Sequence, residues 1–282
     1  MRILITNDDS HRSPLLELAV EYFAALGEVS LVVPLHEQSW TGKSMTRFDP
    51  IHAEPAQLFG RAATFVSGTP ADCVNLATHN LLPEKPDLVV SGINAGWNTG
   101  LGFLVSSGTV GACLEANIAG IPAIALSQAF DSPTRNAYMV DYMIEPARIA
   151  TFKRHTVRVL DRLVEVLLSG DRRNATLGCP ITWNINFPFE LTDPEILRKA
   201  PLGATRYGKV FREEGSGASS HVRSFRHSEI QKVPDENPAC DSAVIDKGCA
   251  TITPVDLWAL ASQGYAERID ALLSSVPAWP SR

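Results

Sequence analysis

Four short apolar runs constrain this chain more than any other feature. They are Arg2-Ile-Leu-Ile-Thr6, Ser30-Leu-Val-Val-Pro34, the Val89-Val90 stretch within Asp87 to Ser91, and Ala123-Ile-Ala-Leu-Ser127. Each reads as a strand buried on both faces. Helical patterns separate them. After Ser13-Pro14, the residues Leu15, Leu18, Ala19, Tyr22, Phe23 and Leu26 recur at helical spacing until Gly27. Thr69-Pro70 with Asp72 has the signature of an N-cap, a first-turn proline and an acidic third position. Another helix starts near Ser107-Gly108-Thr109 and carries Val110, Cys113, Leu114 and Asn117. This alternation predicts an α/β fold with a mostly parallel sheet covered by helices on both faces. Ligands of such sheets sit beyond the carboxyl ends of the strands. The polar clusters Asn7-Asp8-Asp9, Gln38-Ser39 and Gly92-Ile93-Asn94 follow the runs directly or nearly so, and are expected to converge at one edge.

The second half reads differently. His155 to Ser169 is an amphipathic helix with Val157, Leu160, Leu163, Val164 and Leu167 on one stripe. Ile181 to Phe187 is a further strand. From Thr192 to Asn237 the chain is polar, with a turn expected at Gly215 to Ser220 and a hairpin pairing Tyr207–Phe211 with Val222–Phe225. Cys249 to Thr253 reads as a strand and Trp258 to Leu273 as a loosely helical tail. The expected division is a catalytic core over 1–190 and a C-terminal extension over 191–282 that does not fold by itself. That extension has too few apolar positions for its own core, so a homo-oligomer is expected, with a second copy supplying the missing partner.

Composition excludes several classes. The 282 residues carry 25 Lys+Arg against 31 Asp+Glu, a formal net charge of −6, which argues against a binder of polymeric nucleic acid. No apolar stretch approaches the roughly 20 residues of a membrane span. The N-terminus lacks a basic region followed by an apolar run, so no signal peptide is expected. Five widely spaced cysteines without a C-x-x-C pair argue against a disulfide framework or zinc ribbon and for a reducing cytoplasm. Cys73 and Cys113 read as small buried hydrophobes.

Asn7-Asp8-Asp9 is the sharpest chemical feature. Adjacent carboxylates after a buried strand repel each other and are hard to desolvate. A divalent cation such as Mg²⁺, Mn²⁺ or Ca²⁺ resolves that conflict; a solvated loop or an Asp9 helix cap is the plainer alternative. Gly42-Lys43-Ser44 is a decoy, because a P-loop would need glycine at Glu37. The glycines of Ser91 to Gly100 are spaced by four, which is not a dinucleotide fingerprint. Ser106 to Gly111 opens a helix whose free N–H groups suit a phosphate, or which Ser107 or Thr109 simply caps. G-x-S-x-G is not satisfied there, and the seven histidines form no H-x-x-x-H pair.

Taken together, Ile3 to Asp9, Glu37-Gln38-Ser39, Ser67 to Val74, Pro86 to Gly100, Ser107 to Gly111, Gly120 to Ala125, Trp183 to Pro188 and Ala250 to Pro254 resemble, in order and separation, the survival protein E (SurE) nucleotidases. The resemblance implies a Rossmann-like core with a C-terminal extension that assembles dimers or tetramers. It implies a divalent-metal phosphatase of nucleoside 5′-monophosphates, with 3′-monophosphates and short polyphosphate as further substrates. The family metal positions fall on Asp8, Asp9, Ser39 and Asn94, with Asp8 and Asp9 as the catalytic pair. The phosphate-side positions fall on Asn98, Ser107, Gly108 and Thr109. Three departures stand out: Ser10 and Trp40 where the family usually has glycine, and Ser106 where an aromatic residue is usual.

Near Ser39, Lys43 is a candidate phosphate contact and Trp40 a candidate cover for the base or ribose; a solvated lysine and a packing tryptophan are the alternatives. Two other functions stay open: a SurE-like chain that only binds nucleotide or a partner, and a Rossmann-type transferase with a nucleotide-linked donor.

Overall fold

Strand β1 (Arg2–Thr6) shows how this sheet is built: Ile3 and Ile5 enter one apolar cluster and Leu4 the cluster on the opposite face. The same alternation recurs in β2 (Glu28–Pro34), where Leu31 and Val33 oppose Val32, and in β5 (Leu88–Ala95), where Leu88 and Val90 oppose Val89. The computed structural model describes residues 1–214, 223–228, 230–261 and 263–279. A hairpin of β3 (Ala53–Leu58) and β4 (Arg61–Val66) borders the sheet; beyond β5 lie β6 (Ala123–Gln128), β7 (Thr182–Phe187), β8 (Leu197–Lys199) and β13 (Ala250–Val255). Their order is β3-β4-β2-β1-β5-β6-β7-β13-β8. Pairing is parallel except for β3 with β4 and β7 with β13. Strands on either side of residue 190 therefore share one sheet.

Helices cover both faces, as predicted. On one lie α1 (Pro14–Phe23), α6 (Pro146–Leu167), α7 (Asp171–Leu177) and α9 (Ala266–Leu272); on the other lie α2 (Pro70–Leu76) and α4 (Gly108–Ile118). Thr69 caps α2 reciprocally with Asp72, as its sequence predicts. A short π-helical turn, Ala77–Leu81, extends α2. Helices α3 (Gly100–Ser106), α5 (Ser132–Asp141) and α8 (Asp241–Ile245) complete the set.

Several elements differ from their expected form. Helix α6 begins at Pro146, and its buried stripe is Phe152, Thr156, Val159, Leu160, Leu163, Val166 and Leu167. Val157 is instead exposed, because the buried face is rotated toward Thr156, Val159 and Val166 while still including Leu160, Leu163 and Leu167. The expected hairpin shifts: β10 (Phe211–Glu213) pairs with β11 (Phe225–His227), whereas β9 (Arg206–Tyr207) pairs with β12 (Lys232–Val233). The turn expected at Gly215 to Ser220 and the hairpin residue Val222 lie outside the described residues. The tail splits into a 3₁₀ turn, Leu257–Ala261, and α9. All five cysteines are buried and free.

Both positions where the family resemblance leads one to expect glycine adopt left-handed backbone, with φ 68° at Ser10 and 64° at Trp40. A side chain there strains the chain by about 1–2 kcal/mol. Trp40 recovers part of this by packing, with its ring centroid 4.9 Å from that of Tyr207 and 5.3 Å from His227. The Ser10 hydroxyl accepts only a long 3.4 Å bond from the Arg12 amide. Ser10→Gly is therefore expected to raise the urea midpoint by about 1 kcal/mol of stability at constant slope, and Trp40→Gly to gain nothing. A lower midpoint for Ser10→Gly would show that its hydroxyl matters more than its backbone.

Candidate active site

The carboxyl ends of β1, β2 and β5 open into one cleft of about 550 Å³, lined by Asp8, Asp9, Ser39, Trp40, Asn94, Asn98 and Ser107 among others. The three polar clusters thus converge as the sheet rule predicts. Asn94 does not follow its strand but lies within it. The register of β5 shifts between Ser91 and Asn94 against β6, and this irregularity re-aims Asn94 toward the cleft.

Asp8 and Asp9 are each only 3% exposed. Asp8 accepts bonds from the Thr109 amide at 3.0 Å and the Thr109 hydroxyl at 2.7 Å. Asp9 accepts from the Ala95 amide at 2.8 Å and lies against the Tyr138 hydroxyl, which also bonds Ser13 Oγ at 2.9 Å. Burial pushes the Asp8 carboxyl up to about 6, although the Thr109 bonds oppose this and the Glu37 charge adds to it. Burial also raises Asp9, and the Asp8 charge raises it further. Glu37 lines the same cleft and accepts a bond from Ser39 Oγ at 2.7 Å.

Three carboxylates with neutral oxygens from Ser39 and Asn94 form a donor set of hard ligands. Among the described residues no group of three His, Cys, Asp and Glu has metal-binding geometry, so a cation here would draw on the neutral oxygens too. Two buried carboxylates side by side, both with raised proton affinity, fit such a cation: it would supply the countercharge that desolvation demands.

The phosphate-side candidates divide. Asn98 is fixed from three sides: its amide donates to Asn186 Oδ1, its Nδ2 to Ser127 Oγ, and its carbonyl accepts from Asn184 Nδ2, each at 2.8 Å. Ser107 caps α4, accepting from the Val110 amide, and keeps its own proton free to donate. Thr109 turns its amide and hydroxyl to Asp8. Gly108 lets α4 approach, since a Cβ there would lie 2.9 Å from Asp8 Cβ and from the Gln38 carbonyl. Lys43 does not line the cleft. Its Nζ lies 2.7 Å from Glu115 Oε2 on α4, and that carboxylate is buried. Trp40 does line it, beside Phe103 and His227.

Several residues that line or support the cleft have no assignment from sequence alone. Asn184 and Asn186 alternate with Trp183, Ile185 and Phe187 in a fully buried strand, a period-two polar signal that marks them in retrospect. Glu37 belongs to one of the matched segments, and its place beside the carboxylate pair emerges only from the folded chain. Arg135 and Tyr138 come from α5, and His227 from β11, two elements without clear periodicity in sequence.

The family Survival protein SurE matches residues 3–210. A "5′-nucleotidase SurE" of Methanopyrus kandleri is 36% identical over 233 residues, which are 77% of this chain and 85% of the relative. Another of the same name, from Desulfovibrio desulfuricans, is 36% identical over 263 residues, or 90% and 92% of the two chains. The crystal structure of the SurE protein from Aquifex aeolicus is similar with a TM-score of 0.65 and 25% identity, covering 96% of this chain and 99% of that one. With its sheet order, its cleft and this match across most of its length, the chain belongs to the SurE family.

Proposed function

We propose that this chain is a divalent-metal-dependent phosphomonoesterase that hydrolyses nucleoside 5′-monophosphates, with 3′-monophosphates and short polyphosphate as further substrates. The observation that carries this reading is the buried Asp8–Asp9 pair facing Ser39 and Asn94 across one cleft. Relatives named 5′-nucleotidase support the substrate class. A cation held by Asp8, Asp9, Ser39 and Asn94, Mg²⁺ or Mn²⁺ by donor type, would polarise a phosphoryl oxygen and acidify a bound water. The chain's own groups do the rest. The carboxylate pair orients the water. The Ser107 hydroxyl and the Gly108 amide, the one first-turn amide of α4 not bonded to Asp8 or Ser107, offer donors to the phosphoryl oxygens, and Asn98 is held rigid beside them. Trp40 covers the nucleoside.

Purified protein with Mn²⁺ is expected to release phosphate from AMP, to stop on chelation, and to lose at least about a hundredfold in rate as Asp9→Asn. Release from AMP by chelated protein at the full rate would sink the metal assignment. Trp40→Ala should raise KM for AMP by up to about tenfold and leave an aryl phosphate unchanged.

The raised carboxylates also set a stability profile. The Asp8 value lies above its unfolded value near 4, so its contribution is complete below that pH and fades as pH rises through about 6. Metal-free protein should therefore lose thermal stability between about pH 4 and 6, and the raised Asp9 carboxyl carries the loss to higher pH. Asp9→Asn should flatten that loss and abolish the stabilisation by added Mn²⁺. A metal-free wild type that gains stability over this range would contradict the burial argument.

We also propose that the protein works in the cytoplasm as a homodimer or homotetramer joined through residues 191–282. Phe211 and Phe225 are both 54% exposed on the β10–β11 hairpin, which supports cover by a second copy. Sedimentation should give a dimer or larger at micromolar concentration; a monomer there would overturn this.

A further inference from the structure

One wall of the cleft comes from α5, and that helix is anchored firmly. Asp131 caps it by accepting from the Thr134 amide at 2.9 Å. Tyr138 is buried, bonded to Ser13 and edge-on to Phe130 with centroids 5.4 Å apart. At the far end Asp141 pairs with Arg12, whose guanidinium also stacks 4.7 Å above Tyr142. Arg135, Tyr138 and Met139 stand at positions i, i+3 and i+4, share one face of this helix, and all line the cleft.

Charge singles out Arg135. The cleft is lined by three carboxylates, Asp8, Asp9 and Glu37. One divalent cation would cancel two of those charges, and a phosphomonoester near charge −2 at neutral pH would still meet a negative site. Among the described residues Arg135 is the only Lys or Arg lining the cleft, with His227 the only other basic side chain there. The neighbouring cations are committed elsewhere, Lys43 to Glu115 and Arg12 to Asp141. Among the described residues Arg135 pairs with no carboxylate. A guanidinium presents parallel donors that match two phosphate oxygens.

We propose that Arg135 is a substrate-binding residue that contacts the phosphate of the monoester, so that α5 delivers the cationic wall of the cleft. This rests on the phosphomonoesterase reading above. It is separable from that reading because it predicts binding of phosphate itself.

The test is calorimetric titration of inorganic phosphate into Mn²⁺-loaded wild type, Arg135→Ala and Arg135→Lys, with Mn²⁺ affinity and Tm measured on each. Arg135→Ala should weaken phosphate binding roughly ten- to a hundredfold, and Arg135→Lys should restore part of it, with Mn²⁺ affinity and Tm unchanged. In turnover, KM for AMP and for an aryl phosphate should rise by the same factor, because the contact ignores the base. A phosphate Kd within twofold of wild type in Arg135→Ala would overturn the proposal. So would a loss accompanied by weaker Mn²⁺ binding or a lower Tm, which would mark α5 as merely structural. If wild type cleaves no monoester while Arg135→Ala still weakens phosphate binding, the enzyme reading falls and the Arg135 contact stands.

Discussion

The bond pair from Thr109 to Asp8 is the contact on which the site's geometry depends. Asp8 lies just after β1 and Thr109 in the first turn of α4, 101 residues apart in sequence. A carboxylate at the first turn of α4 receives both a real amide donor and the positive end of the helix dipole. That is what allows Asp8 to be buried at all, and it locks the end of β1 to the start of α4. The glycine at 108 follows from this closeness, because a side chain would collide with Asp8 and with the Gln38 backbone. Asp9 receives only the Ala95 amide, the Tyr138 hydroxyl beside it donating to Ser13, so its burial leaves the larger unmet demand for positive charge.

A second constraint follows from the first. Ser39 and Trp40 sit on a segment with no regular structure, yet that segment is tied at four points. The Gln38 amide donates to the Asp8 carbonyl at 2.8 Å, and the Gly42 amide to the Ser106 carbonyl at 2.9 Å. Lys43 pairs with the buried Glu115, which also accepts from Asn75 Nδ2. Thr46 donates through both amide and hydroxyl to the buried Asp72. Helices α2 and α4 thus hold the loop from below. Gly111 belongs to this arrangement, since a Cβ there would lie 2.1 Å from the Gly42 carbonyl oxygen. Lys43 therefore serves Ser39 through the backbone, a role that a reading of Gly-Lys-Ser as phosphate chemistry misses.

How much of the molecule is legible in sequence follows the range of the interactions. Strands β1, β2, β5 and β6 are readable because each is a local run of apolar residues buried on both faces. That the segments holding Asp8, Asp9, Ser39 and Asn94 meet in one cleft is readable because strand ends converge by a topological rule, whereas the choice of these four side chains rests on the resemblance to the SurE family. The α6 boundary is not, because Phe152 and Thr156 are buried by tertiary contact, which outweighs the aliphatic stripe. Helix α5 escapes because Tyr138 alone among its residues is buried, and its cleft-facing residues are an arginine, a tyrosine and a methionine. No apolar stripe marks such a helix. The positive φ at Ser10 and Trp40 can be suspected only against the family pattern, since nothing in the residues themselves demands it.

The extension beyond residue 190 serves the cleft as well as the sheet edge. Asp241 is fully buried, and its carboxylate accepts from the Gly100 and Gly203 amides at 2.9 Å each. The Leu101 and Gly102 amides donate in turn to the carbonyls of Gly203 and Thr205. At the other end of α3, the Ser106 and Tyr207 hydroxyls bond at 2.9 Å, and Tyr207 packs on Trp40. Helix α3 is therefore clamped at both ends by the extension. Asn98 stands just before that helix and Ser107 just after it, so the spacing between these two phosphate-side candidates is fixed by residues that no cleft motif contains. A glycine at 100 is required for the clamp, with φ 73° and Thr205 within 2.4 Å of where a Cβ would be. The extension finds one purpose here: its backbone and one buried carboxylate fix the spacing between Asn98 and Ser107.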